Sequence, residues 1–107
     1  QIEGGVLQGL GLALMEEFHP GRGENLHDYL IPTIGDAPII ETILIETPND
    51  IGPFGAKGVG EQALIPTAPA IFNAIRHATG VAVRRAPATP DRLLAAIKAR
   101  ADQSERV

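Results

Sequence analysis

Four glycines interrupt the helical pattern of the first eighteen residues: Gly4, Gly5, Gly9 and Gly11. Apolar side chains recur there with the period of a helix, on two stripes that cover much of its circumference. Each internal glycine costs a helix about 0.5–1 kcal/mol relative to alanine. The segment therefore predicts a buried, glycine-rich N-terminal helix whose backbone is closely approached. The approaching group can be another part of the fold or a bound ligand, and the pattern leaves both open.

The rest of the chain alternates loops with short elements. The β-branched stretch 39–47 predicts a strand, and Val81–Val83 predicts a shorter one. Thr67 as N-cap and Gly80 as C-terminal stop delimit a predicted helix, and residues 89–100 predict a last one. With 12 glycines and 9 prolines among 107 residues, these elements indicate a small, loop-rich α+β fold.

Length predicts one domain over residues 1–100, followed by a flexible tail over 101–107. Gln1 already lies inside the helical pattern and is not Met, so we do not expect it to be a natural N-terminus.

Composition excludes several classes of protein. A net charge of −4 argues against binding nucleic acid through its phosphates. Without cysteine the chain cannot carry disulfides, thiolate-bound zinc or an iron–sulfur cluster. Three widely spaced histidines predict no metal ligands in the chain: His19, His27 and His77. No apolar run is long enough for a membrane span, which favours a soluble, cytoplasmic protein.

The loop Gly52–Glu61 has four glycines in ten residues and so requires an unusual backbone. Residues 58–63 formally match the dinucleotide pattern G-x-G-x-x-A, but no predicted strand leads directly into them, which disfavours that fold. The loop amides, together with Lys57, could form an anion-binding nest, and this alternative stays open.

Glu61 ends this loop and precedes an apolar stretch. Partial desolvation there would suit a carboxylate to work as a general base. The alternative is a solvated glutamate near a helix N-terminus, which the helix dipole favours.

Three segments together resemble the C-terminal end of the molybdenum hydroxylases, the family of xanthine dehydrogenase, aldehyde oxidoreductase and carbon monoxide dehydrogenase. They are Gln1–Gly5 with Gln8–Gly11, Tyr29–Thr33 with Asp36–Pro38, and Gly55–Glu61. The ending 88–94 also resembles the family's closing helix, so the resemblance covers nearly the whole chain in order.

The resemblance implies that Glu61 is the catalytic base of a molybdopterin-dependent oxidoreductase that hydroxylates an aldehyde or N-heterocycle with water as oxygen source. It also implies that Gln62 replaces a proline common in the family. The cofactor-binding residues that it implies are Gln1, Gly4, Gly5, Lys57, Gly58, Val59 and Gly60.

The same resemblance implies that the site is shared with the rest of a large subunit, so that the isolated chain is inactive. The cofactor would be molybdenum–molybdopterin in its cytosine dinucleotide form, with iron–sulfur clusters and flavin in other domains or subunits. A stand-alone, non-catalytic interaction or assembly module with the same fold is the alternative function.

Overall fold

Three helices form the regular structure of the chain, of which a computed structural model describes residues 1–104. Helix α1 spans Ile2–Leu14, α2 spans Leu64–Thr79 and α3 spans Pro90–Ser104. A short 3₁₀ turn covers Pro53–Gly55 in the long connection between α1 and α2. Within this described part, no helix is both long and apolar enough to cross a membrane.

The glycines of α1 allow it to lie directly against α2. A Cβ on Gly9 would stand 2.5 Å from Thr67 Cβ, and a Cβ on Gly5 would stand 3.1 Å from Ala63 Cβ. Real Cβ atoms essentially never come within 3.0 Å of another atom, so the contact at Gly9 requires glycine, whereas a Cβ at Gly5 would be tight and would require its neighbour to shift slightly. Gly5 and Gly9 are both buried, which confirms the glycine-rich N-terminal helix, but its larger side chains are half-buried or exposed, so only one face of the helix is buried.

Helix α1 is shorter than predicted, because it ends at Leu14 rather than at Phe18. The amides of Met15 and Glu16 both donate to the Gly11 carbonyl, at 2.9 and 2.8 Å, which closes the last turn. The next side chain, Glu17, turns toward α3, so contacts elsewhere in the chain determine where the helical pattern stops.

The two predicted strands are absent from the described residues, so the strand part of the α+β prediction is not confirmed, whereas the three predicted helices are present. A strand needs a neighbour to satisfy its backbone hydrogen bonds, and stretch 39–47 has none here. Its side chains are correspondingly exposed, Ile39 at 103% and Ile45 at 87%. Val81–Val83 also forms no strand, although Val81 is buried.

The prediction of Thr67 as an N-cap is also wrong, because α2 begins three residues earlier, at Leu64. Thr67 Oγ1 instead donates to the Ala63 carbonyl at 2.6 Å, inside the helix. Pro66 is compatible with the earlier start, since the first amides of a helix have no intrahelical acceptor. Gly80 ends α2 with a φ of 70°, as the sequence predicts.

The last helix is confirmed and continues to Ser104, four residues past the predicted end. Residues 105–107 lie outside the described part of the chain. The division into a body over 1–100 and a flexible tail over 101–107 therefore stays a prediction.

The chain buries very little of itself. Apart from Pro87 and three glycines of α1, the buried residues of the described part are Ala13, Val81 and Ala88. The radius of gyration is 18.0 Å, whereas a compact domain of this length has about 13 Å. The fold therefore leaves a large apolar surface uncovered.

Candidate functional site

The turn Gly58–Gly60 is held by the side chain that follows it. Gln62 Oε1 accepts a hydrogen bond from the Gly60 amide at 2.5 Å, and Gln62 Nε2 donates to the Gly58 carbonyl at 2.9 Å. Because the Gly60 amide is occupied in this way, one donor of the anion nest that the glycine pattern allowed is already used.

A second glutamine joins this turn to the start of α1. Gln1 Nε2 donates to the Gly60 carbonyl at 3.2 Å, across 59 positions of sequence. The two segments that carry most of the predicted site residues are thus in direct contact. Ala63 packs on Gly5 and Thr67 packs on Gly9, so the same two segments are also in contact one and two turns further along α1.

Glu61 lies directly after the turn and is exposed. Its carbonyl accepts from the Ile65 amide at 3.1 Å, which makes it the first acceptor of α2. Together with the Gly58–Gly60 turn, Gln62 and Ile65, it lines an open cavity of about 530 Å³. The sequence predicts that the Glu61 carboxylate is partly buried, but no residue of the described part covers it.

Two further cavities meet this one at Val59, which lines all three. One, of about 410 Å³, is bordered by Gln1, Thr42 and Leu44. The other, of about 460 Å³, is bordered by Lys57 and also by Leu44. Gln1, Lys57 and the glycine turn therefore line three neighbouring cavities that share Val59, and Thr42 and Leu44 line them as well.

Gly4 and Gly5 have different surroundings. A Cβ on Gly4 would meet nothing within 4 Å, and Gly4 lines a cavity of about 520 Å³ that is also bordered by Ile31 and Leu64. Gly5 is buried against Ala63 and Leu64 of the second helical region. Helix packing therefore explains Gly5, whereas Gly4 leaves its backbone open to a ligand.

Sequence reasoning missed the structural use of Gln62 and the proximity of Thr42 and Leu44. An amide side chain two residues after a glycine turn is a signal for the first, since it can both donate and accept. No local sequence signal predicts that Thr42 and Leu44 lie near the site, because the path of the loop alone brings them there.

An ion-pair cluster centres on Glu17, three residues after the end of α1. Both Glu17 carboxylate oxygens accept from Arg92 at 2.7 Å, and Arg85 approaches the same carboxylate at 3.0 Å. The hydrogen bond from Arg92 lowers the pKa of Glu17 below its ordinary value of 4.5. Nearby, the Ala88 amide donates to the Ala13 carbonyl at 2.6 Å and ties the residues before α3 to α1.

The histidines take no part in the cavity region. His19, His27 and His77 are all exposed, and His19 Nε2 lies 3.5 Å from a Glu17 oxygen.

Comparison with known proteins identifies the class. A family model described as a molybdopterin cofactor-binding domain matches residues 1–38, which include α1 and Gln1. The chain is 42% identical over 99 residues to a putative xanthine dehydrogenase molybdenum-binding subunit of Escherichia coli, covering 87% of this chain and 13% of that protein. It is 44% identical over 101 residues to an aldehyde oxidoreductase of Megalodesulfovibrio gigas, covering 92% of this chain and 11% of that protein.

A solved structure of an aldehyde oxidoreductase from Desulfovibrio gigas superimposes with a TM-score of 0.87 at 42% identity, covering 91% of this chain and 11% of that chain. The chain belongs to the molybdenum hydroxylase family. It spans about 13% of the length of the first of these relatives.

Proposed function

We propose that this chain forms one wall of a molybdenum–molybdopterin site in a larger oxidoreductase subunit, with Glu61 as its catalytic base. The hydrogen bond from Gln1 to the Gly60 carbonyl carries this proposal. It joins the segment that matches the molybdopterin cofactor-binding domain to the loop that bears the carboxylate.

The residues around the cavities fit such a group. A Cβ on Gly58 or on Gly60 would meet nothing within 4 Å, so backbone is open to a bound molecule on that side. The Gln1 carboxamide and the exposed Lys57 ammonium add donors that suit a polar pterin and its phosphate. The proposed cofactor is the cytosine dinucleotide form, and when bound it supplies two-electron redox chemistry at the metal.

Glu61 would act on a proton. In hydroxylation with water, the substrate C–H bond is replaced by a C–O bond, two electrons leave through the cofactor and two protons are released. The Glu61 carboxylate, which borders the 530 Å³ cavity, accepts one of these protons from the oxygen nucleophile. Aldehydes and N-heterocycles are the proposed substrates, because the carbon attacked must be electron-poor.

The open shape of the chain supports a shared site. Stretch 39–47 exposes Ile39, Ile43, Leu44 and Ile45, and its backbone lacks a strand neighbour in the described part. Burying such side chains against another polypeptide segment is favourable by about 25 cal/mol per Å². We propose that the rest of a large subunit covers them, that iron–sulfur and flavin groups lie in other domains or subunits, and that the isolated chain is inactive. The cytoplasmic location expected from the sequence stays a prediction.

The same exposed surface favours the alternative function, a non-catalytic interaction or assembly module. The two functions differ in whether the Glu61 carboxylate is needed for turnover.

The test is Glu61→Gln in the complete molybdenum-containing protein that carries this sequence, with Glu24→Gln as the matched control. Glu24 is exposed and lies outside the cavities. We expect Glu61→Gln to keep its molybdenum and to lose turnover by at least about 10²-fold, the low end for a general base. Turnover at the wild-type rate would refute the catalytic role and favour the interaction module.

A further inference from the structure

The Gly58–Gly60 turn has almost no means of holding its own conformation. Glycine loses more backbone freedom on ordering than any other residue, and two of these three residues are glycines. Within residues 1–104, side chains supply the hydrogen bonds to this turn, and they are the two glutamines Gln1 and Gln62.

Gln62 uses both ends of its carboxamide on the turn, which fixes the turn relative to the start of α2. Its Oε1 takes the Gly60 amide and its Nε2 takes the Gly58 carbonyl, so the peptide planes on both sides of Val59 are held. Gln1 Nε2 adds a hydrogen bond to the Gly60 carbonyl.

The backbone is therefore held by hydrogen bonds on both sides of the Glu61 side chain. The residue before it is held by Gln62, and its own carbonyl is held by the Ile65 amide of α2 at 3.1 Å. Since Glu61 is exposed, no packing of its side chain fixes the direction of its Cα–Cβ bond. The backbone on either side does so instead.

We infer that Gln62 is a positioning residue for Glu61: its carboxamide locks the Gly58–Gly60 turn and thereby aims the Glu61 carboxylate into the cavity. The inference rests on the proposed function of Glu61. In this role Gln62 acts through the backbone of the turn, although its side chain also lines the cavity.

The first experiment is amide hydrogen exchange at Gly60 in the complete protein. Gln62→Met keeps the length of the side chain and removes both hydrogen bonds. Gln103→Met is the same substitution on the exposed face of α3 and serves as the control. We expect Gly60 to exchange at least about tenfold faster in Gln62→Met and unchanged in Gln103→Met. Gln62→Glu keeps an acceptor for the Gly60 amide, so it should retain the slow exchange. Equal exchange in wild type and Gln62→Met would overturn the inference.

The second experiment measures steady-state kinetics of the same variants beside Glu61→Gln. We expect kcat of Gln62→Met to fall roughly 10- to 100-fold with KM and molybdenum content unchanged, as for a misplaced catalytic group. Faster Gly60 exchange in Gln62→Met together with a wild-type kcat would overturn the positioning role. If Glu61→Gln is inactive in the same experiment, the proposed function of Glu61 still stands. Wild-type turnover by Glu61→Gln would remove the proposed function and the positioning role together.

Discussion

Glu17 and Arg92 lie 75 positions apart in sequence and form a two-pronged ion pair, in which one guanidinium nitrogen reaches both carboxylate oxygens at 2.7 Å. A second Arg92 nitrogen donates to the Pro87 carbonyl at 3.0 Å, so the same side chain also braces the residues just before α3. Through this pair, the end of α1 and the beginning of α3 are held together in a chain that has very little core.

Removing the Arg92 guanidinium should loosen this end of the molecule. In Arg92→Met, Glu17 keeps the more exposed Arg85 and His19 as partners, and the Pro87 carbonyl loses its donor. We expect the neighbouring Ala88 amide, which donates to Ala13, to exchange several-fold faster. Lys98→Met on the exposed face of α3 is the control and should leave that rate unchanged. Equal protection of Ala88 in both variants would show that the ion pair is not structural.

The same ion pair predicts a dependence of stability on pH. Arg92 lowers the pKa of Glu17 in the folded chain, so this stabilisation is fully present above the ordinary value of 4.5 and is lost as the pH falls through the lowered value. Protection of the Ala88 amide, corrected for intrinsic exchange, should therefore be constant from about pH 8 to 5 and fall below 4.5. Glu17→Gln should abolish this fall. A wild-type loss of protection centred near neutral pH would contradict the assignment to Glu17.

The contact between α1 and α2 predicts opposite outcomes for two glycines of one helix. Gly9→Ala places a methyl group 2.5 Å from Thr67 Cβ and should destabilise the helix pair by about 1–3 kcal/mol. Gly4→Ala meets open space and should stabilise α1 by about 0.5–1 kcal/mol. Chemical denaturation monitored by circular dichroism separates the two. If Gly4→Ala also lowers molybdenum content, its backbone is in the cofactor site, as the family resemblance implies.

The Gln1 contact predicts a change in cofactor retention. Gln1→Met removes the hydrogen bond to the Gly60 carbonyl and leaves α1 and α2 packed through their glycine contact. One hydrogen bond contributes about 0.5–1.5 kcal/mol, so we expect the affinity for the cofactor to fall roughly 2- to 10-fold. Elemental analysis of molybdenum per protein after gel filtration is the measurement, with Gln103→Met as control. Full retention in Gln1→Met would place Gln1 outside the cofactor site.

The helices were predictable to the extent that local signals define them. The apolar period marks α1, and Gly80 ends α2 because only glycine adopts its left-handed backbone without strain. The start of α2 was not predictable in the same way, since Thr67 has the side chain of an N-cap and uses it inside the helix. A threonine hydroxyl can form a hydrogen bond to the backbone both at an N-cap and inside a helix. The packing of Thr67 against Gly9 favours the position inside the helix.

The residue pattern by itself determined the glycine-rich character of α1, because that depends on residue types at short, fixed spacings. The resemblance of three segments to known sequences indicated the family and implied the candidate base Glu61. Only the tertiary structure decided that Gly5 and Gly9 serve helix packing, that Gln1 meets Gly60 and that stretch 39–47 has no strand partner among the described residues. Each of these depends on which distant backbone comes near, and local spacing carries no information about that.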